Sequence, residues 1–273
     1  MMGVHITYIN YASGDFLKAQ KYSLNKALKL GCVDEVFSYT FSDIDTKFQN
    51  DNKEILNNKK GGGYWLWKPY FILKSLHEIK DGDFLFYCDT GAYPTGNLSI
   101  LCDELNAIGQ DIMGFSLPLV EKQWTKQDLI KKMGCNSREY TETPQILASY
   151  ILIRKTEKSI KFFEEYLSMS SSIDNIKDIE PSEEKGDCIE HRHDQSIFSL
   201  LYKKNNLISF RDPSQFGSHP HLFFRNVDDG RVRCFAKPKG EYPELIFHWR
   251  RGNPKFAYVK YFFKNIIFSR IKN

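Results

Sequence analysis

The length, composition and charge of the chain exclude several classes of protein. Its 273 residues can bury a substantial core in one large domain, and its 41% hydrophobic and 26% charged residues are ordinary for a globular protein. The net charge of +4 is small and evenly spread, so no basic coat for nucleic acid is predicted. The aromatic share of 15% is high, as in proteins whose clefts hold sugars or bases.

Residue periodicity predicts an alternation of strands and helices along the chain. In order, it predicts a strand at 4–9, a helix at 16–30, a strand at 35–39, a surface helix and loop within 42–60, a helix at 70–79, a strand at 83–88, a helix at 98–107, a strand at 111–117, a helix at 125–132, a strand at 145–154, a helix at 157–169, a loop or flap at 170–186, a helix at 194–202, loop from there to 243 and a strand at 245–247. Such alternation predicts an α/β fold with a mostly parallel sheet flanked by helices.

Cysteine spacing and the N-terminus indicate a cytoplasmic protein. The six cysteines lie far apart without a Cys-x-x-Cys pair, so neither a zinc site nor a disulfide framework is predicted. Residues 1–10 lead directly into a strand, without the basic and apolar runs of a secretion signal. No apolar stretch reaches the length of a membrane span.

The carboxylate of Asp89 follows the apolar strand at 83–88, and two roles fit it equally. In open α/β sheets, ligands bind beyond the carboxyl ends of strands. Asp89 would there hold a divalent cation that bridges phosphate oxygens. Alternatively, it would only cap the turn that leads to Gly91.

The run 190–195, Glu-His-Arg-His-Asp-Gln, is the densest polar cluster and precedes an apolar helix. If Asp194 were the N-cap, it would stabilise the helix by about 1 kcal/mol. This role would account for only one of the six residues. His191 and His193 are candidates for binding an acceptor or for acting as a base. Gln195 completes the cluster.

A second polar run begins at His248, where the strand at 245–247 ends. Arg250, Gly252 and Lys255 follow it and form a compact candidate anion site. A basic surface turn is the alternative, but the strand that precedes His248 favours the anion site.

Three glycines at 61–63 precede Trp65, Trp67 and Lys68, and Pro69 suits the first turn of a helix. Backbone amides at such a turn, with Lys68 nearby, can meet a phosphate. Trp65 and Trp67 can stack on a sugar or base, although we expect at least one of them in the core. The glycines do not form a P-loop, because no Gly-Lys-Ser/Thr follows.

The order of these motifs resembles the GT-A-fold nucleotide-sugar glycosyltransferases, particularly family 8, which has a metal-binding Asp-x-Asp and a late His-x-x-x-Gly-x-x-Lys. The run 62–91 also resembles the Asp-x-Asp sugar-binding region of mannosyltransferase-like families. The resemblance extends over most of the chain. It implies a GT-A-like domain at 1–254 that moves a sugar from a nucleoside-diphosphate sugar, expected to be a UDP-sugar, to a hydroxyl of a glycan or glycolipid in surface polysaccharide, lipopolysaccharide or capsule synthesis.

The resemblance also implies roles for individual residues. Thr7, Tyr8 and Asn10 would bind the nucleoside, and Asp194 with Gln195 would contact the donor sugar. His248 would bind a metal together with Asp89, and Gly91, Gly252 and Lys255 would lie against the diphosphate.

One position departs from the family pattern and keeps alternatives open. Gly91 stands where the second carboxylate of Asp-x-Asp belongs, so either Mn²⁺ or Mg²⁺ on Asp89 and His248, or basic side chains alone, would neutralise the diphosphate. Retention and inversion of the anomeric configuration also stay open. A binding protein of the same fold without turnover is the rival hypothesis. A phosphatase with Asp89 as nucleophile is disfavoured, because that chemistry needs a second aspartate at position 91.

The C-terminal segment 255–273 interleaves aromatic and basic residues. This pattern is typical of a helix at a membrane interface. A helix that packs on the domain is an equal alternative. We therefore expect a cytoplasmic enzyme whose C-terminus can contact the inner face of the membrane.

Overall fold

The computed structural model describes residues 4–180, 185–224, 230–235, 238–249 and 252–271, with the backbone alone for 221–222 and 264–271. Its strands are β1 Ile6–Tyr11, β2 Glu35–Tyr39, β3 Phe84–Cys88, β4 Ala92–Pro94, β5 Ile112–Val120, β6 Pro144–Arg154, β7 Phe210–Arg211 and β8 Ile246–His248. Its helices are α1 Leu17–Leu30, α2 Thr46–Asp51, α3 Lys53–Leu56, α4 Gly61–Tyr64, α5 Trp67–Glu78, α6 Ser99–Ala107, α7 Glu121–Trp124, α8 Gln127–Lys132, α9 Arg138–Thr141, α10 Glu157–Ser170, α11 Ile173–Ile176, α12 His193–Lys204, α13 Gln215–Ser218, α14 Pro220–Phe223 and α15 Pro254–Ile271.

The central sheet has six strands in the order β2-β1-β3-β6-β5-β7. β1 pairs in parallel with β2 and β3, and β5 pairs in parallel with β7. β6 runs antiparallel to both of its neighbours, β3 and β5. The prediction of a mostly parallel sheet in an α/β domain is therefore confirmed, with β6 as the reversed strand.

Helices cover both faces of the sheet, which explains why β3 is apolar at every position. Leu85 and Tyr87 pack into a core cluster with side chains of α5, α10 and α12. Phe84 and Phe86 point to the opposite face and pack with side chains of α1 and α6. The domain thus has three layers, with β3 at its centre.

A small second sheet brings the end of the domain to the end of β3. β4 and β8 pair antiparallel, with Ala92 opposite His248. The backbone N–H of Trp249 donates to the carbonyl oxygen of Gly91 at 2.8 Å. The segment after β3 and the segment after β8 therefore lie side by side.

The C-terminal helix α15 begins at a proline, which suits a first helical turn. Ala257 and Tyr261 on α15 pack against a small aromatic cluster of Tyr93, Phe247 and Trp249. Three phenylalanines of α15 remain exposed, at 70% for Phe256, 55% for Phe262 and 60% for Phe263. Within the described part of the chain, no helix combines the length and the apolar character needed to cross a bilayer.

The predicted elements differ from the observed ones mainly in short segments. The predicted flap at 170–186 contains the short helix α11, and the stretch to 243 that was predicted as loop contains β7, α13 and α14. These elements span two to four residues, too few to produce a periodic pattern.

Candidate active site

A cleft of about 1000 Å³ opens where β1, β3 and β5 end, at the edge of the sheet that binds ligands in α/β proteins. Tyr11, the last residue of β1, and Asp89, which directly follows β3, line this cleft. The amino-terminal half of the reversed strand β6 contributes Ser149. Among the described residues that line the cleft, six are lysine or arginine and four are aspartate or glutamate. The cleft is therefore suited to an anionic ligand with polar substituents.

A buried lysine joins two aspartates in this cleft. Nζ of Lys68, in the first turn of α5, lies 2.7 Å from Oδ2 of Asp194 and 3.7 Å from Oδ1 of Asp89. The hydroxyl of Tyr166 donates to Oδ2 of Asp194 at 3.1 Å, and the hydroxyl of Tyr87 donates to Oδ1 of Asp89. Each carboxylate thus has one phenol donor and shares the same ammonium. We call Lys68, Asp89 and Asp194 the Lys68 triad.

The electrostatics of the Lys68 triad keep the lysine charged. Burial lowers the pKa of Lys68, but Asp194 and Asp89 together outweigh burial, so that the pKa is raised overall. Burial raises the pKa of Asp194, while the ammonium of Lys68 opposes that rise. Lys68 and Asp194 form a buried ion pair, whose mutual attraction offsets part of the cost of removing both charges from water.

The three glycines form an unusual left-handed turn beside the triad. From Gly61 to Trp65 five consecutive residues have positive φ, with values of 60°, 58°, 98°, 50° and 62°. Glycine adopts this region freely, whereas an L-residue such as Tyr64 pays about 1–2 kcal/mol. The turn places Gly61 and Gly62 on the cleft wall. Backbone strain of this kind is found preferentially at functional sites.

The two tryptophans that follow the glycines have separate positions. Trp67 is 6% exposed and stacks on Tyr11 with 4.0 Å between ring centroids. This burial confirms the expectation that one tryptophan is part of the core. Trp65 is half-buried, lines the cleft and stacks on His193 at 5.3 Å.

The two histidines of the 190–195 run differ in access to the cleft. His191 is 2% exposed, and its ring bonds the carbonyl of Asn175 at 2.9 Å, away from the residues that line the cleft. Burial lowers its pKa well below the usual value. His193 lines the cleft, and Nδ1 bonds the carbonyl of Ile176 at 2.7 Å. Burial lowers the pKa of His193 to about 4, so its ring is neutral at pH 7.

The amide of Gln195 is fixed to β6 at the edge of the cleft. Its Oε1 accepts from the backbone N–H of Ala148 at 3.2 Å, and its Nε2 donates to Gln145 at 2.8 Å. Gln145 in turn donates to the buried Glu121 at 3.2 Å. Asp194 is not the N-cap of α12, because the helix begins at His193 with Arg192 as its cap. Asp194 instead pairs with Lys68, so the capping explanation is corrected.

The predicted nucleoside contacts on β1 do not lie on the cleft wall. Tyr8 is fully buried and its hydroxyl bonds Ser23 at 2.7 Å on the α1 side of the sheet. Thr7 and Asn10 are at most 1% exposed and also lie behind the wall. Instead, Tyr11 and the loop residues after it line the cleft. Tyr11, rather than the three predicted residues, therefore brings β1 to the cleft wall, and the nucleoside contacts stay a prediction.

The predicted anion site at 248–255 is divided by the structure. His248 lines the cleft, because β8 pairs with β4. Lys255 lies in a separate groove of about 180 Å³ with Tyr22 and Lys26, and Gly252 is exposed. Lys255 and Gly252 therefore lie apart from the residues that line the cleft, and their contact with a diphosphate stays a prediction. Arg250 lies outside the described residues.

Three arginines on the cleft wall were not predicted. Arg192 lies over the ring of Trp124, with 4.5 Å from Cζ to the centroid, and Arg231 lies over it at 5.7 Å. Arg233 lies 6.0 Å from the ring of Phe224. The alternating sequence Arg231-Val232-Arg233 was a usable signal, but it lay in a stretch predicted as loop.

The described residues do not build a site for a divalent cation. No group of three or more His, Cys, Asp or Glu side chains in the described ranges could hold a metal ion together. Asp89 already accepts from Tyr87 and lies beside the Lys68 ammonium, which repels a second cation at that oxygen. Position 91, where the family pattern has a second carboxylate, is a glycine. The two predicted metal ligands, Asp89 and His248, would leave most of the coordination of a cation to a substrate or water.

Comparison with known proteins identifies the fold. No protein-family model and no curated protein matches the sequence. Mouse xyloside xylosyltransferase 1, in its apo form, matches with a TM-score of 0.50 over 92% of this chain and 98% of that chain, at 10% identity. The apo glycosyltransferase GlyE of Streptococcus pneumoniae TIGR4 matches over 91% of this chain and 55% of that chain, with 13% identity and a TM-score of 0.44. The galactosyltransferase LgtC, in complex with donor and acceptor sugar analogs, matches over 90% of this chain and 87% of that chain, with 15% identity and a TM-score of 0.46. The match to the xylosyltransferase shows that the chain has the predicted GT-A-type fold.

Proposed function

We propose that this protein is a glycosyltransferase that moves a sugar from a nucleoside-diphosphate sugar, expected to be a UDP-sugar, to a hydroxyl of a glycan or glycolipid acceptor. The observation that carries the proposal is the Lys68 triad in a cleft at the carboxyl edge of a GT-A-type sheet. The xylosyltransferase whose fold this chain shares is, by its name, an enzyme of glycosyl transfer. Synthesis of surface polysaccharide, lipopolysaccharide or capsule is the expected setting.

The donor would occupy the half of the cleft on the β1 side. Trp65 offers aromatic surface there for a base, Tyr11 reaches the wall with only 5% of its surface exposed, and Lys59 and Lys60 border it. Gly62 leaves room for close approach, because a Cβ at this position would have no neighbour nearer than 3.8 Å. Bulky side chains would narrow this half of the cleft.

The bond between sugar and diphosphate would break beside the triad, near the basic side chains of the cleft. Negative charge grows on the departing diphosphate in the transition state, so fixed positive charge near it lowers the barrier. Lys68, beside Asp89, and His248, on the strand that pairs with the segment after Asp89, are basic groups on this part of the cleft wall. Asp194 and Asp89 hold the Lys68 ammonium in place. His193 would be a weak base here, because its pKa is lowered to about 4 and its Nε2 is buried, so no proton transfer is assigned to it.

A divalent metal enters the proposal only through the donor. Glycosyltransferases of this fold commonly use one, and Mn²⁺ or Mg²⁺ would bring charge stabilisation with the diphosphate. The sequence prediction gives it Asp89 and His248 as contacts, but the Lys68 ammonium beside Asp89 opposes a cation at that carboxylate. Metal addition is therefore one arm of the experiment below.

A protein that binds nucleotide sugars without turnover is the second candidate. It is favoured by the engagement of Asp89 with Lys68 and Tyr87, which leaves this carboxylate less able to contact a substrate. Both candidates require nucleotide binding, and only the enzyme requires release of the sugar.

Two measurements test the proposal. The first is a thermal-shift panel of nucleoside diphosphates with and without Mn²⁺ or Mg²⁺, in which UDP is expected to raise the melting temperature by mass action. The second is release of UDP from UDP-sugars by the native protein and by Asp89→Asn. Asp81→Asn, at the opposite end of β3 and 89% exposed, is the matched control. Binding without release under any metal would favour the second candidate, and no shift with any nucleotide would reject both.

A further inference from the structure

A buried carboxylate that directly follows β5 is surrounded by hydrogen-bond donors. Glu121 is fully buried, and its Oε2 lies 2.7 Å from Nζ of Lys203 and accepts from the hydroxyl of Ser199. Its Oε1 accepts from the hydroxyl of Thr125 at 2.6 Å and from Nε2 of Gln145 at 3.2 Å. A carboxylate that faces an ammonium and three neutral donors acts only as an acceptor. Glu121 therefore determines which atom each of these neighbours turns towards it.

Two amide side chains connect Glu121 to the cleft. Oε1 of Gln145 accepts from Nε2 of Gln195 at 2.8 Å, and Oε1 of Gln195 accepts from the backbone N–H of Ala148 at 3.2 Å. A carboxylate, which only accepts, and a backbone N–H, which only donates, stand at the two ends of this series. Reversal of either amide would place two donors or two acceptors against each other. We call Glu121, Gln145 and Gln195 the amide relay.

The contact with Glu121 is the strongest one that orients the amide of Gln145. Nε2 of Gln145 also lies 3.4 Å from the carbonyl oxygen of Trp124 and 3.3 Å from the hydroxyl of Thr125. Both of these acceptors are neutral, and both lie farther away than the carboxylate oxygen. Hydrogen bonds to a charged group are roughly twice as strong as those between neutral groups. Loss of the charge on Glu121 should therefore release the orientation of Gln145.

Gln195 is the member of the amide relay that a substrate can reach. It directly follows Asp194 of the Lys68 triad and lines the cleft, where it is half-buried, whereas the other two members are fully buried. One N–H of Nε2 is bonded to Gln145 and one lone pair of Oε1 to Ala148. The amide thus keeps one donor and one acceptor without a partner among the described residues. A sugar hydroxyl can bond to either kind of group.

We infer that Glu121 is a positioning residue for recognition of the transferred sugar, and that it acts through Gln145 and Gln195. This inference rests on the proposed function, because it takes the sugar to lie beside the Lys68 triad. With Gln145 reversed, Nε2 of Gln195 would lose its acceptor, so the amide of Gln195 would turn or withdraw. The groups that meet the sugar hydroxyls would then change. The nucleoside and its phosphates, on the β1 side, would not depend on the amide relay.

The central variant is Glu121→Gln, which keeps the volume of the side chain and removes its charge. Lys203 and Ser199 attract the oxygen of the new amide, so its nitrogen would face Nε2 of Gln145. Gln145→Leu interrupts the amide relay without removing a charge, and it decides the question if Glu121→Gln does not fold. Gln195→Ala removes the amide that lines the cleft. Melting temperatures show which variants are folded.

The matched control is Asp111→Asn, the same chemical change at the opposite end of β5. Asp111 directly precedes this strand, is 16% exposed and lies 2.6 Å from Arg154. It therefore reports what the loss of a partly buried ion pair does to binding through stability alone. Calorimetry measures the affinity of each full-length variant for UDP, UDP-glucose, UDP-galactose and UDP-N-acetylglucosamine.

Glu121→Gln and Gln145→Leu are expected to weaken the most tightly bound UDP-sugar about fivefold, the effect of about one hydrogen bond. Their affinity for UDP, and both affinities of Asp111→Asn, should change by less than about twofold. Added to Gln195→Ala, Glu121→Gln should have no further effect, because both changes act on the same amide.

Three results would overturn the inference alone: an equal loss of affinity for UDP, no loss in either relay variant, or a further loss in the Gln195→Ala background. Failure of every UDP-sugar to bind where UDP binds would also overturn it, because no sugar would then be held beside the triad. If the native protein bound neither UDP nor any UDP-sugar, the proposed function itself would be rejected, and this inference with it.

Discussion

The ammonium of Lys68 lies 2.7 Å from a carboxylate oxygen of Asp194, and both side chains are 4% exposed. A buried pair of this kind is stable only as a pair, because removal of one partner leaves the other charge without compensation in a medium of low dielectric constant. Asp89, on the cleft side, shares the same ammonium at 3.7 Å. Folding and the chemistry of the cleft therefore depend on one lysine.

Replacement of this lysine should be strongly destabilising. We expect Lys68→Met to lower the free energy of unfolding by about 3–5 kcal/mol, because Asp194 would remain buried without a counter-ion. Urea denaturation measures the change. Lys161→Met, which breaks an exposed pair with Glu157, is the control and should cost no more than about 1 kcal/mol. If Lys68→Met and Lys161→Met were equally mild, the ion pair would not be a major stabilising contact.

The buried histidines should make the fold sensitive to mild acid. The pKa of His193 is lowered to about 4, whereas its unfolded value is near 6.5, so the unfolded state binds more protons between these values. Stability contributed by the neutral ring is fully present above pH 6.5 and declines as the pH falls towards 4. The lowered pKa of His191 makes the stability decline with falling pH in the same way.

The variant His193→Asn isolates this effect, since asparagine tolerates the positive φ of 50° at this position and keeps an N–H donor for Ile176. The difference in unfolding free energy between native protein and variant should narrow from pH 7 to pH 4.5. The raised pKa of Asp194, present in both proteins, cancels in that difference. A difference that stays constant over this range would contradict the prediction.

The left-handed glycine turn predicts two unequal alanine substitutions. At Gly63, with φ of 98°, a Cβ would lie 2.8 Å from Cα of Leu56, so backbone strain and a steric clash combine. At Gly62, the φ of 58° is strained for alanine, but no atom lies within 3.8 Å of the new Cβ. We expect Gly62→Ala to cost about 1–2 kcal/mol and Gly63→Ala clearly more, as measured by thermal unfolding. Equal costs would mean that the contact with Leu56 relaxes freely.

The exposed aromatic residues of α15 predict contact with anionic lipid. Phe256 and Phe263 lie seven residues apart on the helix, with Lys260 between them, and all three are exposed. Vesicles with phosphatidylglycerol should pull down the native protein in a salt-dependent manner, whereas Phe256→Ser with Phe263→Ser should weaken binding at least tenfold. Phe16→Ser, a 56% exposed phenylalanine outside α15, is the control. Equal sedimentation of the native protein and the double variant would leave α15 as a packing helix.

The layers of the fold could be predicted from the sequence, but the contacts between the site residues could not. β3 and β6 could be predicted because long apolar strands have a clear pattern, and Asp89 could be located because it follows one of them. The pairing of Lys68 with Asp194 joins residues 126 positions apart, and no local pattern encodes such a contact. The reversal of β6 and the burial of the three predicted β1 residues likewise depend on tertiary packing. Short elements such as β7 are too brief to leave a signal.

The pairing of β4 with β8 has a consequence for the order in which the protein matures on the ribosome. Ala92 cannot pair until His248 has been synthesised, and Gly91 cannot accept its hydrogen bond until Trp249 has been added. The wall beside Asp89 therefore closes only after nine-tenths of these 273 residues have been synthesised. The parallel pair of β1 and β3 can form much earlier, since both strands lie within the first 88 residues. A nascent chain would thus carry its central strands long before it has a closed cleft.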